Sequence, residues 1–161
     1  YNPNIAPLEE YQKREAELRR LVSQMKFTHP VELLPCQYDG QAFVQAARGL
    51  EGEPEGGKRC EACFRLRLRY AAQEAARLRF DYYTTTLSIS PMKNAPLLNQ
   101  LGEEIGREFG VAHLPSDFKK KDGYKRSVQL SKEYDLYRQD YCGCAFSKAQ
   151  RQREKEEREE V

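Results

Sequence analysis

Apolar residues recur at helical spacing in three long stretches of the chain. They repeat every three or four positions over residues 8–25, which follow Pro7, and again over residues 60–78. A third stretch, residues 94–109, starts with Asn94, a residue type favoured at helix N-caps, and is followed by Gly110, a typical helix stop. The pattern therefore predicts three amphipathic helices.

Shorter apolar runs between these helices are typical of strands. Residues 80–87 and 111–114 are rich in aromatic and β-branched side chains, and the short run 31–34 lies between two prolines. Further helical turns are predicted near 43–50, 128–130 and 134–137, and residues 51–57 read as a loop. Because helices alternate with strands, we expect an α/β fold with a mainly parallel sheet, flanking helices and a ligand site beyond the carboxyl ends of the strands.

Composition favours one domain. The chain has 161 residues, of which 39% are hydrophobic, and 27 basic residues nearly balance 25 acidic ones. Residues 147–161 are almost entirely charged or polar, so we divide the chain into a domain at 1–146 and a charged tail that is a solvated helix or disordered. No apolar run is long enough to span a bilayer, and we expect a cytoplasmic protein.

Two closely spaced cysteine pairs are the main candidates for chemistry. Cys60 and Cys63 are three residues apart at a predicted helix start, a spacing that lets both sulfurs bind one metal or cluster, and the helix N-terminus should lower their pKa. Cys142 and Cys144 flank one glycine and could form a strained, easily reduced disulfide or chelate a metal together. Two inert thiol pairs remain the alternative, and the isolated Cys36 is expected to pack in the core.

Basic residues cluster beside both cysteine pairs. The first cluster consists of Lys58, Arg59, Arg65, Arg67 and Arg69, and the second of Lys119, Lys120, Lys121, Lys125 and Arg126 with Phe118 and Tyr124 among them. Positive charge with interleaved aromatic rings suits a phosphate backbone and unstacked bases, although each cluster could equally be a solvated face. Thr84–Thr86, Ser88, Ser90 and Lys93 could bind a ligand after a strand, whereas His29, His113 and Asp117 are expected to be structural.

Five motifs in one order resemble a known family. They are the segments 55–64 (EGGKRCEACF), 80–94 (FDYYTTTLSISPMKN), 116–120 (SDFKK), 123–127 (GYKRS) and 136–144 (LYRQDYCGC). Together they closely resemble the QueH-type epoxyqueuosine reductases from residue 1 to about residue 147. Five motifs in the same order are more specific than any one of them.

The resemblance implies a fold, an activity and roles for the cysteines. It implies a Rossmann-like domain of the adenine-nucleotide alpha hydrolase-like kind that reduces epoxyqueuosine to queuosine at the wobble position of tRNA, the last step of queuosine biosynthesis. Cys60 and Cys63 then match ligands of a [4Fe-4S] cluster, while Cys142 and Cys144 match a redox-active pair near this cluster that could also contact an additional iron. An external electron donor and a tRNA partner are implied as well.

The family pattern also includes cysteines upstream of the motif with which this chain begins, at residues 1–4. We therefore expect an N-terminally incomplete sequence. One alternative is a zinc-stabilised RNA-binding module in which Cys60, Cys63, Cys142 and Cys144 form a tetrahedral site without redox activity. Another is a tRNA-thiolating enzyme, although the phosphate-binding loop that it needs is not evident in this sequence.

Overall fold

A computed structural model that describes residues 1–159 contains six α-helices and one small parallel sheet. The helices are α1 (Leu8–Gln24), α2 (Gly40–Ala46), α3 (Lys58–Arg77), α4 (Ala95–Phe109), α5 (Gly123–Glu133) and α6 (Ala145–Glu159). Strand β1 (Tyr82–Tyr83) lies parallel to β2 (Ala112–His113), and a 3-10 helix occupies Thr86–Ile89. The predicted α/β class with parallel pairing is therefore confirmed, and the last two residues of the predicted tail, 160 and 161, lie outside the described residues.

The main core lies between α3 and α4. Leu68 and Ala72 on α3 pack against Leu98, Leu101 and Ile105 on α4, and none of these residues is more than 2% exposed. Burial of each of the larger side chains stabilises the fold by about 2 kcal/mol. The helical spacing of these apolar positions explains why both helices were predicted from the sequence.

Helix α4 begins and ends at the residues predicted from the sequence. The side chain of Asn94 accepts a hydrogen bond from the backbone N–H of Leu97 (3.1 Å), and Gly110 ends the helix with a φ of 68°. Gly106 lies against the backbone that follows, because a Cβ atom there would be 2.5 Å from the carbonyl oxygen of Val111. This close approach turns the chain directly into β2, next to β1.

Three local predictions were wrong. Within the described residues, 31–34 form no strand, and Val31 and Leu34 are 48% and 44% exposed, so the run has no buried face to pair. The strand expected at 80–87 is reduced to β1, because the Thr85 side chain caps the 3-10 helix that follows. Residues 134–137 lie after the C-terminus of α5 and are not helical.

The tail predicted at 147–161 begins inside α6, and residues 145–159 are helical. The division of the chain into a domain at 1–146 and a tail stays a prediction. Among the described residues, no helix is both long enough and apolar enough to cross a membrane.

Candidate functional site

The first cysteine pair lies in the first turns of α3. Cys60 and Cys63 are both buried, and the loop before the helix closes over Cys60, where the backbone N–H of Gly56 donates to the sulfur (3.1 Å). Cys60 belongs to the core between α3 and α4, whereas Cys63 packs with Phe43 and Cys144. The two thiols of the pair therefore connect the main core with the second cysteine pair.

The second cysteine pair is held by the N-terminal segment of the chain. Gly143 adopts a φ of 123°, and its carbonyl oxygen accepts a hydrogen bond from the backbone N–H of Ala6 (2.9 Å). Arg14 on α1 donates to the carbonyl oxygen of Cys142 (3.1 Å). A Cβ atom at position 143 would lie 3.0 Å from both Arg14 and Ile5, so the positive φ and the tight surroundings both require glycine.

The two pairs converge although about 80 residues separate them in the sequence. All five cysteines, which lie within the described residues, are free thiols. The sulfur of Cys63 is close enough to Cys142, Cys144 and Cys60 for the charge of each to raise its pKa. Cys142 is partly exposed whereas Cys60, Cys63 and Cys144 are buried, so Cys142 is the member of the group that solvent or a substrate can reach.

Burial controls the acidity of the inner thiols. It raises the pKa of Cys63 to about 11, and the nearby Arg67 guanidinium only partly opposes this. Burial also raises the pKa of Cys144, although the backbone N–H of Ser147 partly offsets the effect. The prediction that the helix N-terminus would lower the thiol pKa was therefore wrong for Cys63, because removal of the thiolate from water has the larger effect.

Lys93 brings a buried positive charge to the exposed thiol. Its side chain is only 8% exposed, and its Nζ donates to the sulfur of Cys142 (3.3 Å) and to the carboxylate of Glu55 (3.4 Å). Burial alone would lower the pKa of Lys93, but the charge and the hydrogen bond of Cys142 and the charge of Glu55 outweigh it and raise the pKa. Lys93 is therefore charged beside Cys142.

Ser147 connects Glu55 to the second cysteine pair. Its hydroxyl donates to Glu55 (3.0 Å) and accepts from the backbone N–H of Cys142 (3.1 Å), and its own N–H lies 3.4 Å from the sulfur of Cys144. Sequence reasoning predicted no role for Glu55 or Ser147. The one available signal was that Glu55 begins the first of the five motifs, and Ser147 had none because it stands in a charged, polar stretch.

Most of the first basic cluster makes contacts within the protein. Arg59 is buried, and its guanidinium donates to three backbone carbonyls of the preceding loop. Arg65 pairs with Glu61 and Glu104, Arg69 pairs with Glu108, and Arg67 donates to the side chain of Asn2. These four arginines bond to neighbours within the protein, whereas the fifth member of the cluster, Lys58, is exposed. A phosphate-binding role for the cluster stays a prediction.

Replacing Arg59 with methionine should destabilise the protein by about 2 kcal/mol, because the carbonyls of residues 50, 51 and 53 lose their buried donor. Urea unfolding followed by circular dichroism measures the change. Arg69→Met on the same helix is the matched control and should cost less than about 1 kcal/mol, since that side chain is 51% exposed. Equal destabilisation by the two variants would contradict the structural role of Arg59.

The other predicted residues lie apart from the thiols. Thr84–Thr86 line an open cleft of about 540 Å³ beside α3 and β1, together with Cys36, and none of the four paired cysteines lines it. Cys36 is partly exposed, not fully buried as predicted. His113 is buried against Tyr83, and burial lowers its pKa, which agrees with a structural role. Asp117 pairs with Lys119 and Lys120.

The thiols of the site are the right type of ligand for a metal, but they are not close enough together to form a complete metal site. Thiolates are the usual ligands of iron–sulfur clusters, and four thiols lie in one neighbourhood with apolar walls. Among residues 1–159, however, no three His, Cys, Asp or Glu side chains lie close enough together to hold one ion. The described residues therefore offer part of a ligand set, of which Cys60 and Cys63 are the two with ligand-like spacing.

A family model and individual relatives of this chain agree on one family. The model of the family described as "Epoxyqueuosine reductase QueH" matches residues 1–150. Three relatives carry that same name. The protein of Streptococcus pyogenes is 45% identical over 148 residues, that of Staphylococcus epidermidis 41% over 150, and that of Thermotoga maritima 37% over 154.

The alignments cover most of this chain but less of the relatives. They span 91%, 91% and 94% of this chain, against 58%, 63% and 78% of the three relatives in the same order. The chain thus spans about three-fifths of the length of the two more similar proteins. The family match, residues 1–150, includes both cysteine pairs and Lys93, which contacts Cys142.

Proposed function

Because the chain belongs to the QueH family of epoxyqueuosine reductases, we propose that it removes the epoxide oxygen of epoxyqueuosine at the wobble position of tRNA, which completes queuosine biosynthesis. The observation that carries this proposal is the convergence of Cys60, Cys63, Cys142 and Cys144 beside the buried charge of Lys93. The Rossmann-like fold of the adenine-nucleotide alpha hydrolase-like kind is part of the same proposal.

The reaction needs two electrons and two protons. Both C–O bonds of the epoxide break, a carbon–carbon double bond forms, and the oxygen leaves as water. Oxidation of the Cys142 and Cys144 thiols to one disulfide releases two electrons and two protons, so the balance closes without a further reactant. An external donor able to reduce disulfides then restores the two thiols for the next turnover.

The two thiols of this pair are not equivalent. Cys142 is partly exposed and contacts Lys93, whereas Cys144 is buried and has a raised pKa. We therefore assign Cys142 to the substrate side and Cys144 to closure of the disulfide. Lys93 holds its positive charge where negative charge develops on the departing oxygen or on the sulfur of Cys142.

Cys60 and Cys63 are proposed as ligands of a [4Fe-4S] cluster. When bound, such a cluster supplies low-potential electrons one at a time. The buried position of both thiols limits access of water to that part of the site. The additional iron is proposed to lie near Cys142 and Cys144, and no step of the reaction above depends on it.

The activity is tested with tRNA that carries epoxyqueuosine. The protein, the tRNA and a chemical reductant are incubated under anaerobic conditions, and nucleosides from the digested tRNA are analysed by mass spectrometry. We expect a product that has lost one oxygen atom and gained a double bond. Binding of this tRNA without any loss of oxygen would contradict the proposal and would favour an RNA-binding module.

A further inference from the structure

Four of the five cations of the second basic cluster, Lys120, Lys121, Lys125 and Arg126, are exposed to solvent. The segment 117–126 contains five basic and two acidic residues and precedes or begins α5. Asp117 pairs with Lys119 and Lys120. Arg126 pairs with Glu133 (3.7 Å). Within the described residues 1–159, no carboxylate lies at salt-bridge distance from Lys121 or Lys125, and both side chains are exposed. The segment therefore presents uncompensated positive charge.

Two aromatic rings lie among these lysines. Phe118 and Tyr124 are each 42% exposed, although large aromatic side chains gain stability when they are buried. We call Phe118, Lys120, Lys121, Tyr124 and Lys125 the lysine-aromatic surface. Positive charge contacts phosphates, and exposed rings provide faces on which bases stack, so this combination matches RNA better than an acidic protein surface.

The lysine-aromatic surface is fixed in shape. The backbone N–H of Phe118 donates to the hydroxyl of Ser88 (3.2 Å). The carbonyl of Phe118 approaches Gly123 so closely that no Cβ atom would fit there. Lys121 and Asp122 both have positive φ angles, of 50° and 61°, which non-glycine residues adopt only where their surroundings impose them. The backbone that carries the rings and lysines is therefore held in one conformation.

The lysine-aromatic surface is also continuous with the thiol site. Lys119, which follows Phe118, donates to the backbone carbonyl of Lys93 (3.3 Å), and Lys93 contacts the sulfur of Cys142 (3.3 Å). Lys119 and Lys93 therefore connect the lysine-aromatic surface with the exposed thiol.

We propose that the lysine-aromatic surface binds the backbone and neighbouring bases of the tRNA anticodon loop while the wobble base enters the thiol site. This inference rests on the proposed function and adds to it the surface that holds the substrate. It also assigns the two types of residue different tasks. Lys121 and Lys125 contribute salt-dependent affinity, and Phe118 and Tyr124 contribute stacking that is insensitive to salt.

Binding of an unmodified tRNA transcript, measured by fluorescence anisotropy at several salt concentrations, tests the inference. The double variant Lys121→Ala/Lys125→Ala should bind about tenfold more weakly. Its plot of log affinity against log salt should be shallower by about 1.4 to 1.8, since each phosphate contact contributes roughly 0.7 to 0.9. Phe118→Ala should weaken binding at least about fivefold with an unchanged salt slope.

The matched control is Lys26→Ala/Arg107→Ala, which removes the same charge from exposed positions at the far ends of α1 and α4. It should leave the slope within about 0.3 of the wild-type value. Equal losses in both double variants, or none in Lys121→Ala/Lys125→Ala, would overturn the inference. The reductase activity is measured separately. If the wild-type protein removes the oxygen but Lys121→Ala/Lys125→Ala binds tRNA normally, only the proposed binding surface is rejected. If the wild-type protein binds tRNA through this surface but removes no oxygen, only the proposed activity is rejected.

Discussion

Replacing Cys142 with serine is expected to lower the rate of epoxide reduction by at least about 10³-fold, in the range seen when one member of a catalytic unit is removed. Cys142 is the partly exposed thiol of its pair and the one that contacts Lys93. Its loss removes both the thiol on the substrate side and the possibility of forming a disulfide with Cys144. Anaerobic turnover, followed as loss of oxygen from the tRNA nucleoside, measures the effect.

The matched control for this variant is Cys36→Ser, which changes a thiol that lies outside the two pairs and beside the cleft of α3 and β1. It should leave the rate within about twofold. The fold of each variant is checked by circular dichroism. If Cys142→Ser keeps a wild-type rate, the dithiol mechanism is wrong, whatever else the protein does.

Lys93→Met should have two separable effects. Removal of the ammonium leaves the carboxylate of Glu55 buried with only the hydroxyl of Ser147 as a donor, which should cost about 3 kcal/mol of stability. Turnover should fall by about 10²-fold, because no positive charge remains beside the sulfur of Cys142. Urea unfolding gives the first quantity and single-turnover kinetics gives the second.

A double-mutant cycle separates the two roles of Lys93. Glu55→Gln removes the stranded charge, so Lys93→Met/Glu55→Gln should regain most of the lost stability and little of the lost turnover. Recovery of both quantities together would mean that Lys93 acts only through folding. A wild-type rate in Lys93→Met would show that its charge has no part in the reaction.

The helices could be predicted from the sequence because their signals are local. The apolar spacing within α3 and α4, the cap at Asn94 and the stop at Gly110 each depend on residues within a few positions of one another. The run at 31–34 has the same local appearance as a strand but finds no partner to pair with, so residues distant in sequence decide its conformation.

Of the residues in the candidate site, the cysteine pairs were the ones that sequence spacing identified. The close spacing of the cysteines in the sequence identified each pair. The contact between Cys63 and Cys144 could not be predicted, because it depends on how α3 packs against the loop before α6. Charge counting was misleading for Arg59, since a buried arginine that binds backbone carbonyls looks the same in a sequence as one on a phosphate-binding surface. Burial reversed the expected acidity of Cys63 for a similar reason.

The most direct test of the account is anaerobic reconstitution of the protein with iron and sulfide, followed by analysis of bound iron, sulfide and zinc. We expect bound iron and sulfide with the visible absorption of a thiolate-ligated cluster. We also expect that Cys60→Ser and Cys63→Ser lose this iron whereas Cys36→Ser retains it. Zinc without iron, or the same iron content in all three variants, would contradict the assignment of Cys60 and Cys63 as cluster ligands.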